Sequence, residues 1–184
     1  MAQQLNKDDY VFFWKTNEVH GWGSQWYHSP FTAKVVFEEG DKEEEVKFAT
    51  AEHWMMVQKA LLFKDAEVAR EVLEVEGTGQ KDMTYVKSLG RKVRNFDEEK
   101  WVEARERIVL EGNLLKFSQN QELGEKLVAT GDKQIVEASP RDRIWGVGFG
   151  EKNALEERTR WGLNLLGKAL ESTRGRLRNE RGNS

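Results

Sequence analysis

The stretch that most narrows what this chain can fold into is Ala49-Thr50-Ala51-Glu52-His53-Trp54-Met55-Met56-Val57-Gln58-Lys59-Ala60-Leu61-Leu62-Phe63. Thr50 is a good helix cap, and strong helix formers follow it. The run is apolar except for a carboxylate and an amine. At about 100° per residue, Glu52 and Lys59 are only about 20° out of line, so they share a face with Met55, Met56 and Phe63. A charge on an apolar face needs a partner or a purpose, because burying it alone costs several kcal/mol. Two readings stand side by side. In one, Glu52 is a first-turn carboxylate favoured by the helix dipole, and Lys59 lays its stem along the helix to reach solvent. In the other, Glu52 is an acid/base group, and Lys59 is an amine that binds an anion or acts as a nucleophile.

The remaining composition excludes several classes of function. A charged fraction of 33%, a hydrophobic fraction of 38% and a net charge of -3 describe an ordinary soluble surface. Nothing in it demands a polyanion partner, although a net-acidic chain can still carry a local basic cleft, which leaves nucleic acid open as a substrate. There is no cysteine, so disulfides, thiolate metal sites and a catalytic thiol are ruled out. The three histidines, His20, His28 and His53, lack the spacing of a metal motif, and no bound metal or cofactor is expected. Met1 to Tyr10 has no apolar signal core, and no stretch approaches the roughly 18 apolar residues of a membrane span. The expected location is the cytoplasm or the nucleus. Seven tryptophans are the compositional oddity, some for the core and some for a pocket wall.

Along the chain, Tyr10 to Trp14 reads as a short strand, and His20 to Phe31 as an aromatic loop too rich in glycine and proline for a regular element. Ala33–Phe37 and Glu45–Phe48 form a hairpin around Glu-Glu-Gly-Asp-Lys. After the helix at Thr50, Asp65 caps a second helix and Lys81 to Leu89 forms a third that Gly90 ends. Asp97 caps the longest helix, whose apolar side is interrupted at Gly112-Asn113. Gln121 to Ala129 is helical, Ile135 to Ala138 is a strand, and a final helix runs from about Asn153 to Leu177 with Trp161, Leu165, Leu166 and Leu170 on one side. The expected fold is a helix-dominated α+β single domain with a small β-hairpin or short sheet. It covers residues 10–177, between a flexible N-terminus (1–9) and a basic, frayed tail (178–184).

Three segments hold polar residues that packing does not explain: the His20–Phe31 loop, the Glu52–Lys59 helix and Glu137–Gly150. A fold that brought them together would make one pocket. Gly146, Gly148 and Gly150 alternate without the dinucleotide fingerprint, so a phosphate cradle and a close backbone turn are both open. Arg141, Asp142 and Arg143 beside Trp145 suit a ligand with phosphates, a polar sugar and a flat ring, or else form a surface ion cluster.

Five blocks then carry a resemblance. They are Trp22 to Phe31, Thr50 to Phe63, Leu89-Gly-Arg-Lys-Val93, Gly112-Asn-Leu-Leu-Lys-Phe-Ser-Gln-Asn120, and Glu137 to Gly148. In order and spacing they resemble the NADAR (YbiA-like) family over roughly Tyr10 to Leu177. The resemblance implies an N-glycosidase that cleaves a ribose C1–N bond without a metal. The substrate is ADP-ribose attached to guanine in nucleic acid or, alternatively, a phosphoribosylamino-pyrimidine intermediate of riboflavin synthesis. It puts the pocket carboxylate at Glu52, the pocket lysine at Lys59, and ligand contacts at Trp54, Asp142 and Trp145. Trp22, Ser24, Trp26, Asn113, Arg141, Arg143 and Gly146 complete the expected substrate-binding set. A non-catalytic ADP-ribose reader would use the same residues. The loop departs modestly from the family in reading Trp22-Gly23 before Ser24.

Overall fold

The structure, a computed structural model, describes residues 6–182. The first five residues of the expected flexible N-terminus and the last two of the tail lie outside the described residues. Lys7–Asp9 form a 3-10 turn that Asn6 caps. The chain divides into two compact units, one of residues 25–120 and one of residues up to 24 together with 121 onward.

Within residues 25–120, β1 is the antiparallel hairpin strand Phe31–Val35 and β2 its partner Glu44–Phe48, with Phe31 opposite Phe48 and Val35 opposite Glu44. Gly40 turns the connection at φ 92°, a value that suits glycine. The helix expected at Thr50 is α1, Ala51–Leu62. The Thr50 hydroxyl accepts from His53 N, as a cap should. Ala51 to Val57 and Ala60 are all buried, so α1 is enclosed on nearly every side instead of showing one apolar stripe. Phe31 stacks on Phe48, and Phe48 meets the Trp54 indole edge-on at 5.2 Å, which ties the hairpin to this helix.

Helices α2 (Ala66–Glu74), α3 (Gln80–Arg91) and α4 (Glu98–Gln119) pack around α1. Asp65 and Asp97 cap α2 and α4 as expected, accepting from Val68 N and Lys100 N. Asp65 is buried and also accepts from the backbone and guanidinium of Arg94 at 2.8 and 2.9 Å. Burial alone would raise its pKa, but the Arg94 and Val68 hydrogen bonds win and hold the carboxyl below its ordinary value.

Two glycines behave differently from their sequence reading. Gly90 does not end α3; it lies inside the helix, where a Cβ would run into the Met56 sulfur. Gly112 does not interrupt α4. A Cβ there would sit 2.5 Å from Trp54 Cδ1, so the missing side chain is what lets the indole lie against the helix. The Trp54 indole N–H donates to the Ile108 carbonyl at 2.9 Å and completes that contact.

The other unit is built on a parallel pair, β3 (Tyr10–Phe13) and β4 (Gln134–Glu137), in register from Tyr10 opposite Gln134 to Phe13 opposite Glu137. Phe12, Val136, Ala138, Val147 and Ala154 form its core, with Phe149, Leu155 and Trp161 packed against it. Helix α5 is Gln121–Ala129. The long final helix of the sequence reading is instead broken. A short α6, Glu151–Ala154, and an irregular stretch precede α7, Leu165–Gly182. Asn164 causes the break: at φ 51° it uses its side chain to bond the strand β4, donating to the Ile135 carbonyl and accepting from Glu137 N. Trp161 therefore precedes the helix, and its indole donates to the Ala154 carbonyl. Where fraying was expected from residue 178, α7 continues to Gly182, with Arg174 buried against Thr130 and the Lys133 carbonyl and Arg178 paired with Asp132.

Gly112→Ala should lower stability by about 1–3 kcal/mol through overpacking, against the ~1 kcal/mol of helix propensity that alanine brings. Gly175→Ala, in α7 with open space around it, should hold or raise the Tm. Thermal melts of the two variants that moved together would remove the close-approach role of Gly112.

Candidate active site

In the unit of residues 25–120, the expected site residues are Trp26, Glu52, Trp54, Lys59 and Asn113. Glu52 is 6% exposed in the first turn of α1, where the positive end of the helix favours its carboxylate. Its backbone N–H donates to the Gln25 carbonyl at 3.0 Å. Lys59 is half-buried two turns on. Its Nζ lies 4.7 Å from the Phe96 ring centroid and 5.4 Å from that of Trp101. Burial lowers its pKa, whereas Glu98 and Glu52 favour the charged form. Trp54 is held in the core by Gly112, Phe48 and the Ile108 carbonyl.

Asn113, on α4, is fully buried. Its Nδ2 donates to Gln25 Oε1 at 3.0 Å and to the Val109 carbonyl, while its Oδ1 is buried without a hydrogen-bond partner. Gln25, which sequence reasoning passed over, is thus the strut between Glu52 and Asn113. A glutamine set between the tryptophans of the aromatic loop was the available signal. Lys116 was missed as well. It has no exposed surface, its Nζ lies 5.8 Å from the Tyr27 ring centroid, and burial pushes its amine down to about 7. Its signal was position, three residues after Asn113 on the same helix face. At the end of α4, Gln119 bonds both backbone groups of Thr32, and Asn120 donates to the Pro30 carbonyl. These bonds fix the start of β1 and the end of the loop before it, and Trp26, partly exposed, belongs to that loop.

His53 is wedged beside Glu52. Its Nδ1 meets the Thr50 hydroxyl and its Nε2 meets the Val75 carbonyl, both at 2.8 Å. A carbonyl can only accept, so Nε2 carries the proton and the neutral ring accepts from Thr50. Burial lowers its pKa, and the Val75 bond and the charge of Asp82 offset this only in part.

In the other unit, Trp22 and Ser24 are buried and the Trp22 indole meets His20 edge-on. The Asp142 carboxylate accepts from Ile144 N and Trp145 N at 2.9 and 2.8 Å, so it shapes the turn that presents the partly exposed Trp145. Arg141 and Arg143 are exposed, and Arg143 donates to the Arg160 carbonyl at 2.6 Å. Gly146 would put a Cβ 2.7 Å from the Glu137 carbonyl, and Gly148 (φ 81°) lies under the Arg143 stem. Gly146 and Gly148 thus serve close approach, whereas a Cβ on Gly150 would meet Pro140 only at an ordinary 3.7 Å. The strand-like run of bonds from Gly162, Leu163, Leu165 and Leu166 to Val147, Arg143, Ile144 and Trp145 holds the whole segment. Among the described residues, no group of three or more metal-binding side chains is assembled, and no helix is long and apolar enough to cross a membrane.

His53 sets a pH dependence. Its folded pKa lies below the unfolded value, so its contribution is intact above about pH 6.5 and is lost as pH falls through the folded value. The Tm should therefore drop between about pH 7 and pH 5, and in His53→Gln this part of the drop should disappear from a lower starting Tm. An unchanged pH profile in the variant would remove His53 as the titrating group.

Known proteins place this geometry in context. N-glycosidase R617 of Acanthamoeba polyphaga mimivirus is 41% identical over 90% of this chain and 95% of its own. N-glycosidase Npun_R5314 of Nostoc punctiforme is 32% identical over 72% of this chain and 76% of its own. The NMR structure of the E. coli protein YbiA matches with a TM-score of 0.69 and 22% identity, over 100% of this chain and 93% of that one, and it supports the helix-dominated α+β fold. Residues 12–178 match the NADAR domain, and the chain belongs to the NADAR family.

Proposed function

We propose that the protein is an N-glycosidase that hydrolyses a ribose C1–N bond, with ADP-ribose linked to guanine in nucleic acid as its substrate. The observation that carries the reading is Glu52, a carboxylate enclosed at the start of a central helix, in a chain whose relatives bear the name N-glycosidase. Cleavage of an N-glycosidic bond passes through an oxocarbenium-like state. A fixed carboxylate in a dry setting stabilises that charge far better than water does. Glu52 also has the chemistry to protonate the leaving nitrogen and later to accept a proton from water. The reaction needs no metal, because acid–base and nucleophilic groups suffice.

In this reading Lys59 holds a ribose hydroxyl or a phosphate, a role suited to an amine whose charged form two carboxylates favour. Arg141 and Arg143 have the charge for phosphates, and Trp22, Trp26 and Trp145 have ring faces for a base. The preference for a diphosphate ligand rests on the charge of these two exposed guanidiniums.

The test is a panel of ADP-ribosylated guanine nucleoside, an ADP-ribosylated oligonucleotide and a phosphoribosylamino-pyrimidine. Free ADP-ribose should appear from the first two, and Glu52→Gln should slow it by about 10²–10⁴-fold. Turnover of the aminopyrimidine alone would move the substrate to a riboflavin intermediate. Calorimetric binding of ADP-ribose with release of sugar from none of the three would make the protein a reader.

A further inference from the structure

Where the end of β1 meets α1 and α4, residues 25–120 leave a cavity of about 310 Å³. Lys34 and Val36 line it from the hairpin, Gln58 and Leu61 from α1, and Arg107 and Ile108 from α4. At about 100° per residue, Gln58 and Leu61 stand about 120–180° round the helix from Glu52, so the cavity opens on another face of α1. Its floor is apolar, and the two charged side chains that line it, Lys34 and Arg107, are both cations. Arg107 reaches Glu111 at 3.2 Å and Lys34 lies 3.7 Å from Glu43, but these are exposed pairs, which contribute little and exchange readily. The larger hollow that continues past Val36 and Leu61 carries charges of both signs and favours neither.

The register of β1 fixes what backbone faces this cavity. The Thr32 N–H donates to the Gln119 side chain at 2.9 Å, and the Thr32 carbonyl accepts from it at 2.8 Å. Both groups therefore point away from β2, and Thr32 forms a non-hydrogen-bonded pair with Lys47. Such pairs alternate along an antiparallel ladder, so Lys34, opposite Glu45, turns its own N–H and carbonyl outward as well. Gln119 stands in for a third strand at Thr32. At Lys34, among the described residues, no group takes that place. An open edge of this kind accepts an added strand: main-chain bonds give affinity, and pockets for alternate side chains give specificity.

We propose that the outer edge of β1 at Lys34 is a docking site for an extended acidic segment of a partner protein, which adds a strand beside β1. The added strand pairs with the Lys34 N–H and carbonyl. An apolar side chain of the partner enters the cavity against Val36 and Leu61, and the carboxylates that flank it meet the Lys34 amine and the Arg107 guanidinium. The site is independent of the N-glycosidase reading and leaves the Glu52 face of α1 untouched.

Fluorescence polarisation with a labelled, end-blocked peptide that alternates glutamate and valine tests the proposal on the unaltered protein. Binding should be saturable and should weaken with salt, and hydrogen exchange at the Lys34 amide should slow when the peptide is bound. Replacing the glutamates by lysines should weaken binding by at least about tenfold. Only alternate N–H groups of an added strand face β1, so of two peptides N-methylated at the valines or at the glutamates, one should lose at least about tenfold. Arg107→Glu, checked for folding by melting, should lose a similar factor. No saturable binding, equal binding of the lysine peptide, both N-methylated peptides binding like the parent, or full binding by folded Arg107→Glu would each overturn the proposal. Protection of Lys34 that grows with protein concentration in the absence of peptide would put a second copy of the chain on this edge and overturn it too.

Discussion

The structure of residues 25–120 depends on one constraint: α1 is enclosed on nearly all sides while carrying a carboxylate and an imidazole in its first turn. Backbone and side-chain polar groups in such a place must find partners inside the protein, since water is not there to supply them. The partners are local and specific. Thr50 caps the helix and shares its hydroxyl with His53, His53 reaches across to the Val75 carbonyl, and the Gln25 carbonyl receives the Glu52 N–H. The loop before β1 is therefore fixed by what α1 lacks.

That requirement spreads outward through α4. Gln25 is held by Asn113, and the end of α4 bonds the loop again through Gln119 and Asn120. Each of these is an amide side chain with both a donor and an acceptor, able to bond a backbone N–H or carbonyl from either end. Trp54 needs a flat seat on the same helix, and Gly112 provides it. One face of α4 is in this way specified residue by residue from position 108 to 120, although the helix as a whole has little amphipathic pattern.

Much of this was legible in the sequence where the signal is local. Caps at Thr50, Asp65 and Asp97 were readable because a short oxygen-bearing side chain before a helical run has few other uses. The strands near Tyr10 and Ile135 and the hairpin were readable from alternation and a glycine turn. Gly90 and Gly112 were not, because a glycine that ends a helix and one that admits a neighbour look alike until the neighbour is known. Asn164 was likewise hidden, as its bonds go to a strand about thirty positions earlier in the chain. At the site, Glu52 and Lys59 stood out because their charge conflicts with an apolar run. Lys116 did not, since a lysine in a helix so rich in charge carries no such conflict, and its enclosure is a tertiary fact.

The two lysines show how the same side chain acquires different chemistry. Lys59 keeps carboxylates and ring faces around a partly exposed amine, and these pull against the effect of burial. For Lys116, burial is what pushes the amine down. Moving an amine from an ordinary value of 10.5 to about 7 means that its charged form is disfavoured by roughly 5 kcal/mol. That is comparable to the whole stability of a small domain, on the order of 5–15 kcal/mol. A chain that folds with such a penalty in its longest helix gives up stability at that position. Enclosure that excludes water also strengthens every charge interaction around the amine, so the same burial that weakens the fold leaves this side chain unusually sensitive to its neighbours.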